Sequence, residues 1–402
     1  MWKKKKNILI IGGIKVFYDR LKKFNVKTTL LMSKGSVNNH LLEESDRTLI
    51  LDLSNVEEVE AIVKSLDIVE KFDAIFCVDE GLQKLAADIA ISLNLIYTTP
   101  KAVELTLNKH KLRKLLNERN ISKVNYLVCS SHNDLLNYSN NFNFPFIIKP
   151  INEAASINVF IINNPVELQH FISSINNGEL NLAYPLLAEE FLDGTEVSVE
   201  TITVGGIHKI VTITEKLKKD GTFVEIGHTV PFLIDQNQLK EIEMIINNMY
   251  NLIEHKIGLG HTEVMLTKNG PKIIESHVRM GGDYIFQIIE NTCGKNIIDI
   301  MIKHQLGLDS NEELNFNFTK YSSIRYLDIK PGKITKITGE TTTKNIPGVK
   351  KLRISLREGD TVKDLKQSFD RIGYVIIDAN SPEEIEDIYD KVKRTLTVDT
   401  IK

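Results

Sequence analysis

The chain has 402 residues, of which 42% are hydrophobic and 26% are charged, and its net charge at pH 7 is -3. A protein that mainly coats nucleic acid would be strongly basic, so the charge argues against that class. The sequence has no run of about 20 apolar residues that would span a membrane as a helix. Its three widely spaced cysteines fit a reducing cytoplasm, where we expect the protein to act without nucleic-acid or membrane partners.

The first hundred residues alternate short apolar runs with helical stretches. Four runs, NILIIGG, KTTLLM, RTLILDL and FDAIFCVD, predict buried strands of a parallel, doubly wound sheet. Gly12-Gly13 follows the first run but lacks the GxGxxG spacing, which argues against dinucleotide binding. We therefore predict an N-terminal α/β domain over residues 1–100, followed by one helix from about Lys101 to Arg119.

The middle and end of the chain show a different order of predicted strands and helices. The runs FPFIIKP, INVFIIN and PLLAEEFL predict a small α+β unit over about residues 123–191. It lies within a larger region that we place at residues 101–320. Beyond about Tyr321, short strands and a final helix predict a C-terminal α+β capping domain over residues 321–402.

Two acidic residues stand symmetrically about a predicted hairpin. The strands HTEVML and KIIES flank TKNGP, in which Asn-Gly favours a tight turn. A three-residue loop, Lys268–Gly270, would make Glu263 and Glu275 direct cross-strand partners. Like charges so placed repel each other, and a divalent cation between them would offset the repulsion. Mg²⁺ is the best match to oxygen ligands, and Mn²⁺ is an alternative. The other interpretations are an exposed acidic pair, or a shifted register that puts the two acids on opposite faces.

The segment IIESHVRMGGD adds further polar groups to the same strand. Arg279 lies two pleats beyond Glu275, where its guanidinium could contact the oxygens of a phosphate that shares the metal. Gly281-Gly282 would let backbone N–H groups at the start of the next helix face the same anion. His277 is open among three interpretations: a third metal ligand, a substrate contact or a packed histidine.

Seven motifs in order carry a resemblance to a known superfamily: NKHKLRKLLNERNIS, FPFIIKP, LLAEEFLDGTEVSVE, IGHTVP, GHTEVML, IIESHVRMGGD and DRIGYVIIDANSPEEIEDI. Over roughly residues 1–320 the chain resembles the ATP-grasp superfamily, and within it the L-amino-acid ligases that make dipeptides. The resemblance implies an ATP-grasp fold, whose lid would be the unit at about residues 123–191. It also implies ATP and Mg²⁺ as cofactors, and a homodimer is common among relatives.

The resemblance assigns roles to individual residues. Lys109 and Lys149 match lysines that contact ATP phosphates, where ammonium groups neutralise the triphosphate. The adenine-binding segment corresponds to Glu189, Glu190, Phe191 and Leu192, with the carboxylate of Glu189 and backbone groups of Glu190 and Leu192 as its contacts.

Further residues of the lid and the substrate region receive roles in the same way. Glu196 matches the acid that accepts hydrogen bonds from the ribose hydroxyls, and Ser156 lies in the loop that covers the phosphates. His228 lies where related ligases place a residue near the substrates; otherwise it is a structural histidine. We assign His228 and His277 to the substrate region.

Two positions depart from the pattern of the superfamily. The phosphate-covering loop INEAASIN has no glycine, although Ala154 and Ala155 are small enough for a close approach. The position that often carries a metal-binding asparagine holds His277, so the resemblance leaves Glu263 and Glu275 as the metal ligands.

The function that these residues imply is ADP-forming ligation of a carboxylate to an amine. The carboxylate, an amino acid in the dipeptide-forming relatives, would form an acyl phosphate, which an amine then attacks. Arg279 with the amides of Gly281 and Gly282 would steady the transferring phosphoryl group. Alternatives within the fold are a carboxylase or a nucleotide-biosynthesis ligase, and an alternative of another class is an ATP-binding regulator without turnover.

Overall fold

The computed structural model describes residues 5–37, 39–151, 157–308 and 314–401. Its N-terminal part is a parallel sheet with strand order β3-β2-β1-β4. The strands are β1 (Lys6–Ile11), β2 (Val26–Ser33), β3 (Arg47–Leu51) and β4 (Ala74–Cys77). The helices are α1 (Lys15–Leu21), α2 (Asn39–Glu44), α3 (Val56–Val69) and α4 (Gln83–Ser92). All four predicted strands are present, and the parallel sheet is confirmed.

The segment after this sheet contains two helices where one was predicted. They are α5 (Pro100–Leu107) and α6 (Lys109–Glu118). Between them Asn108 has an extended backbone, with φ -121° and ψ 100°, and its side chain accepts a hydrogen bond from the N–H of Lys111 at 2.9 Å. An asparagine that caps a new helix ends the preceding one. The single-helix prediction was therefore wrong, and Lys109 is the first residue of α6.

A second, antiparallel sheet has strand order β5-β8-β6-β7 and two helices packed against it. Its strands are β5 (Tyr126–Cys129), β6 (Phe146–Pro150), β7 (Phe160–Ile162) and β8 (Leu186–Glu190). The helices are α7 (His132–Asn141) and α8 (Pro165–Asn176). Ser156, Ala154 and Ala155 of the phosphate-covering loop lie outside the described residues. This small sheet lies within the range predicted for the lid.

The largest sheet has eight strands in the order β13-β12-β9-β10-β11-β14-β18-β16. The strands that precede the C-terminal region are β9 (Gly194–Val204), β10 (Ile207–Lys218), β11 (Glu225–Val230), β12 (Gly258–Thr267) and β13 (Gly270–His277). The helices of this part are α9 (Gln236–Leu252), α10 (Ile285–Cys293) and α11 (Ile297–Gln305). One apolar core includes residues of β10, β12, α10 and α11 together with residues of the N-terminal sheet, so these parts pack against each other directly.

The C-terminal region is shared between the large sheet and a smaller one. Its strands are β14 (Tyr321–Tyr326), β15 (Gly332–Thr338), β16 (Val349–Ile354), β17 (Thr361–Val362), β18 (Gly373–Ala379) and β19 (Thr397–Ile401). Its helices are α12 (Glu340–Lys344) and α13 (Pro382–Thr395). Strands β14, β18 and β16 extend the eight-stranded sheet, whereas β17, β15 and β19 form a three-stranded sheet of their own. The predicted domain limits at residues 100 and 320 therefore remain predictions. None of the described helices has the length and apolar character needed to cross a membrane.

Candidate active site

A cavity of about 990 Å³ is lined by residues of both the lid-like sheet and the eight-stranded sheet. Thirteen residues to which the sequence assigned a role line it: Lys109, Lys149, Glu189, Glu190, Phe191, Leu192, Glu196, His228, Glu263, Glu275, His277, Arg279 and Gly282. Gly281 is not among the lining residues, although its neighbour Gly282 is. The structure thus brings together residues that are up to 173 positions apart, the separation of Lys109 and Gly282.

Glu263 and Glu275 are direct cross-strand partners on β12 and β13. The predicted three-residue loop was wrong, because Thr267 pairs with Gly270 and only Lys268 and Asn269 lie between them. Gly270, in the turn, adopts a φ of +88°, which glycine tolerates. Further along the hairpin, the register shifts by one residue between Glu263 and Val264. This β-bulge places one extra residue on β13 and restores the pairing of the two acids. The alternative with the acids on opposite faces is excluded, since both line the same cavity.

Both carboxylates of this pair are ionised and each contacts a lysine. The Lys216 Nζ lies 2.6 Å from Glu263 Oε1, and the Lys109 Nζ lies 2.9 Å from Glu275 Oε2. Burial by itself raises the pKa of each carboxyl, but Lys216 lowers the pKa of Glu263 and Lys109 lowers that of Glu275 well below the usual range. The side chains are only 21% and 16% exposed, so the site holds two partly screened negative charges side by side.

The pair fits a hard divalent cation. Two ionised carboxylates on adjacent strands, open to a cavity large enough for water and phosphate oxygens, provide the donors that Mg²⁺ prefers. Among the described residues, no group of three ligand atoms within 4.8 Å of one another includes both Glu263 and Glu275. A cation there would therefore need further ligands from solvent or from a bound phosphate.

A histidine stands beside each acid of the pair, and the two histidines are themselves register partners. His261 Nδ1 lies 2.8 Å from the buried Glu200, and its Nε2 lies 3.8 Å from Glu263. Burial lowers the pKa of His261, but the charge and hydrogen bond of Glu200 outweigh it and raise the pKa to about 10. His277 Nε2 lies 2.6 Å from Glu275. In the structure His277 is thus a buried partner of a predicted metal ligand, and its role in substrate binding remains a prediction.

Lys216 is a buried cation that the sequence analysis missed. Its side chain is 2% exposed, and its Nζ lies 2.7 Å from Glu196, 2.6 Å from Glu225 and 2.6 Å from Glu263. Burial lowers the pKa of Lys216, but the three carboxylates raise it well above the usual value. Glu196, assigned to the ribose, also binds Lys218. The motif TEKLK gave no signal because its lysines alternate with apolar residues as on any amphipathic strand.

The predicted adenine-binding segment begins at Glu189, whose carboxylate forms ion pairs with two cations. Glu189 is 5% exposed, and its carboxylate binds Arg113 Nε at 2.7 Å and Lys149 Nζ at 2.6 Å. Burial raises the pKa of Glu189, but the two cations lower it to about 2. The Glu190 N–H donates to the backbone oxygen of Asn125 at 2.9 Å. The assigned contacts of Glu189, Glu190 and Leu192 to adenine remain predictions, and the structure adds that Glu189 fixes the position of Lys149.

Arg279 is bound by an acid of the N-terminal part of the chain. Its Nε donates to Glu80 Oε2 at 2.5 Å, and its Nη2 contacts the same oxygen. Glu80 belongs to the short 3₁₀ helix Glu80–Leu82 that follows β4, and it also lines the cavity. No sequence pattern pairs residues almost 200 positions apart, so Glu80 was missed. The phosphoryl role of Arg279 remains a prediction.

The two glycines after Arg279 differ in their surroundings. A Cβ added at Gly281 would lie 2.8 Å from His261 Nδ1 and 2.9 Å from Glu200 Oε2, so the close packing of that pair requires glycine there. A Cβ added at Gly282 would meet nothing within 4 Å. Helix α10 begins at Ile285, so neither glycine is its first residue. The proposal that both amides face an anion remains untested.

His228 faces a cluster of charged groups in the lining of the cavity. Its Nε2 lies 3.1 Å from Asp283 and 3.6 Å from Glu225, and Arg371 binds Asp283 through two nitrogens. Neither Asp283 nor Arg371 was identified from the sequence, although both line the cavity. Asp283 is the last residue of the segment IIESHVRMGGD, so its place in that segment could have identified it as a candidate site residue.

Comparisons with known proteins agree with this geometry. Residues 142–287 match the ATP-grasp domain family, and residues 325–400 match the family described as L-amino acid ligase C-terminal domain 2. The alanine–anticapsin ligase of Bacillus subtilis (strain 168) is 25% identical over 271 residues, which are 62% of this chain and 57% of that protein. The carbamoyl phosphate synthase large chain of Helicobacter pylori is 25% identical over 346 residues, 80% of this chain and 31% of that one. The chain thus spans little more than half, or less, of these relatives.

Solved structures share the fold. The L-amino acid ligase from Bacillus licheniformis superposes with a TM-score of 0.84 at 21% identity, covering 100% of both chains. The phosphoribosylglycinamide synthetase from Anaerococcus prevotii has a TM-score of 0.74 at 19% identity, covering 99% of this chain and 100% of that one. The ATP-grasp fold is therefore confirmed, and so is the resemblance to the ATP-grasp superfamily and its L-amino-acid ligases.

Proposed function

We propose that this chain, which contains an ATP-grasp domain followed by an L-amino acid ligase C-terminal domain, is an ADP-forming carboxylate–amine ligase. Its substrates would be an amino acid or another small carboxylate and an amine, and its product a dipeptide-like amide. The observation that carries the proposal is the cavity that gathers buried cations and an ionised carboxylate pair, as a site for a metal-bound triphosphate requires.

The proposed reaction has two steps. A carboxylate oxygen of the first substrate attacks the γ-phosphorus of ATP, the bond from that phosphorus to the oxygen it shares with the β-phosphorus breaks, and ADP leaves. The amine nitrogen then bonds to the acyl carbon, phosphate leaves, and the nitrogen gives up a proton. Both steps develop negative charge on oxygens, which fixed cations in a closed site stabilise most effectively.

The cations of the cavity are held ready for this charge. Lys149 is fixed by Glu189, Lys109 by Glu275 and Lys216 by its three carboxylates. A divalent ion between Glu263 and Glu275 would supply further neutralisation of phosphate oxygens. Its arrival would release Lys109 and Lys216 from the two acids, because the ion would satisfy the carboxylates that now hold these lysines. We propose that the released lysines then contact the phosphates.

The substrates would occupy the end of the cavity away from the adenine segment. The residues proposed for this part are Arg279, Gly282 and His228, which line the cavity together with the acids Glu225 and Asp283. A guanidinium can bind a carboxylate with two parallel hydrogen bonds, and carboxylates can bind an ammonium group. An amino acid offers both groups, which supports amino acids over substrates with a single charge.

The test is an ADP and phosphate assay of the full chain with ATP, Mg²⁺ and pairwise mixtures of amino acids. We expect phosphate release that depends on particular pairs, together with a condensed product of the matching mass. The variant Glu263→Gln/Glu275→Gln should release none, because the metal would lose both carboxylates. The exposed Glu118 provides the matched control, Glu118→Gln, which should behave as the parent.

The same assay separates the alternatives. Phosphate release that needs bicarbonate rather than an amino-acid pair would show the carboxylase. Release with an aminated nucleotide precursor alone would indicate the nucleotide-biosynthesis ligase. ATP binding by calorimetry without release under any condition would show the regulator, and each of these results would overturn the proposal.

A further inference from the structure

The turn between β13 and α10 has an unusual backbone. Asp283 and Tyr284, two consecutive residues with side chains, have φ values of +53° and +59°. This left-handed region favours glycine, and a bulky residue such as tyrosine is seldom found there. The turn comprises residues 281–284 and so begins with Gly281-Gly282; Gly282 and Asp283 line the cavity. A strained turn at a site persists only where its surroundings hold it.

The C-terminal region supplies the contacts that hold this turn. Arg371 Nη1 donates to Asp283 Oδ2 and Arg371 Nη2 donates to Asp283 Oδ1, each at 2.7 Å. The side chain of Arg371 is 10% exposed, and its guanidinium lies 3.7 Å from the ring centroid of Tyr326 on β14. Such a two-point contact fixes the plane of the carboxylate as well as its position.

The guanidinium is fixed in turn by its own segment. Arg371 Nε donates to the backbone oxygen of Ser368 at 2.7 Å, and Nη1 also approaches the backbone oxygen of Glu225 at 3.4 Å. On the other side, His228 Nε2 lies 3.1 Å from Asp283 Oδ2. Burial raises the pKa of Asp283, but the hydrogen bonds from His228 and Arg371 lower it well below the usual range. Asp283 is thus an ionised group clamped between β11 and the C-terminal region.

We propose that Arg371 is a positioning residue of the ligase reaction: through Asp283 it holds the turn of residues 281–284 in the conformation that presents Gly282 to the reacting groups. The inference rests on the proposed function, because it assigns a catalytic purpose to the turn. It also gives the C-terminal region a part in the reaction rather than a purely structural one. The simpler explanation is an ion pair that only joins two parts of the fold, and the two explanations predict different kinetics.

The first experiment compares Arg371→Ala and Arg371→Lys with the parent and with a matched control, Arg357→Ala. Arg357 is an exposed arginine of the same region. Calorimetry with Mg-ATP gives the fraction of each preparation that binds nucleotide, and kcat is calculated for that fraction. Arg371 donates its hydrogen bonds to Ser368, Glu225 and Asp283, which belong neither to the predicted adenine segment nor to the predicted phosphate-binding lysines. We therefore expect the Kd for Mg-ATP to stay within about threefold of the parent. A displaced turn should lower kcat about 100-fold, the loss typical of an ångström-scale misplacement.

The lysine variant and chemical rescue sharpen the comparison. Arg371→Lys keeps the charge but loses the two-point contact, so its kcat should lie between those of the parent and Arg371→Ala. Guanidinium ion at millimolar concentration should restore part of the activity of Arg371→Ala and none to the parent. If Arg371→Ala binds Mg-ATP and turns over at the parental rate per bound site, the inference is wrong.

A second experiment does not depend on turnover. The Ile285 N–H donates to the Gly282 oxygen at 3.0 Å across the turn, so its hydrogen exchange reports whether the turn is intact. We expect faster exchange in the peptide covering residues 281–288 for Arg371→Ala, and parental exchange for Arg357→Ala. Unchanged exchange in Arg371→Ala would overturn the inference. A parent that turns over no substrate pair would count against the proposed function instead, and the exchange result would still decide whether Arg371 holds the turn.

Discussion

Glu189 offers a test of the electrostatics that position the lysine of the proposed phosphate site. Its carboxylate is 5% exposed and lies within 2.7 Å of the Arg113 Nε and 2.6 Å of the Lys149 Nζ. The substitution Glu189→Gln keeps the shape of the side chain and removes its charge. Arg113 and Lys149 would then be buried beside a neutral amide. Removing one partner of a buried ion pair is strongly destabilising, because the remaining charge stays buried without compensation.

The magnitude follows from the pKa of Glu189, which the folded protein lowers from 4.5 to about 2. A folded pKa below the unfolded one stabilises the protein above the unfolded pKa, and the stabilisation is lost as the pH falls through the folded pKa. The difference corresponds to about 3 kcal/mol at pH 7. For Glu189→Gln we therefore expect unfolding free energy about 3 kcal/mol below the parent at pH 7. The gap should shrink to about half near pH 3.

The assay is urea denaturation of parent and variant at a series of pH values, followed by circular dichroism. Other carboxyls with lowered pKa, Asp283 among them, also weaken the parent in acid, but they are present in both proteins and cancel in the difference. Glu118→Gln is the control, since Glu118 forms an exposed pair with Lys114 and should change stability by less than about 1 kcal/mol. A gap below about 1 kcal/mol at pH 7, or one that does not change with pH, would refute the reasoning.

Three further predictions concern the reaction. Arg279→Ala should bind Mg-ATP within a few-fold of the parent by calorimetry, while phosphate release should fall about 10²–10³-fold. The reason is that a guanidinium here stabilises charge that develops only during the reaction. Normal turnover would show that Arg279 has a structural role and none in catalysis. Lys149→Ala should weaken ATP binding sharply by calorimetry, because it removes a charge aimed at the phosphates, and an unchanged titration would exclude that role. Glu263→Gln and Glu275→Gln should each raise the Mg²⁺ concentration for half-maximal phosphate release at least about tenfold. Loss of a residue that only supports a metal ligand already weakens metal binding by about tenfold or more, and loss of a ligand should cost at least as much. Parental Mg²⁺ dependence in both would contradict the metal assignment.

Local patterns predicted the elements well where one signal dominated. The four strands of the N-terminal sheet and the final helix were predicted from the pattern of apolar residues, and the structure contains them. The break at Asn108 was missed because the apolar periodicity continues through it. The extended backbone of Asn108 and the hydrogen bond that its side chain accepts from the Lys111 N–H show that a new helix begins. Competition between a cap and a helix interior is decided by the surrounding fold, which the sequence pattern does not display.

The hairpin shows a correct pairing reached from an incorrect turn. Symmetry about Asn269 assumed a regular ladder, whereas the structure combines a two-residue turn with a bulge beside Glu263. The two deviations cancel, so the acids still face each other. A bulge is set by packing on both faces of the sheet rather than by a residue type, and no motif in β13 indicates it.

The residues that were missed are those whose partners are distant in sequence. Glu80 contacts Arg279, and Arg371 contacts Asp283, across separations of 199 and 88 residues. Lys216 pairs with Glu263 from a strand that is not its neighbour in the sheet. Charged residues on a strand are usually solvated, so only the assembled sheet shows which of them are buried together. The resemblance to the ATP-grasp superfamily supplied site residues with known motifs, and the structure supplied these supporting partners.

The central claim is that this site transfers the γ-phosphoryl group of ATP to a substrate carboxylate. The most direct measurement uses an amino acid whose carboxylate is labelled with ¹⁸O, paired with the amine that gives the most phosphate release, and analyses the released phosphate by mass spectrometry. Formation and breakdown of an acyl phosphate would leave one ¹⁸O atom in each phosphate, with ADP as the other nucleotide product. Unlabelled phosphate, or label recovered in AMP, would contradict the account.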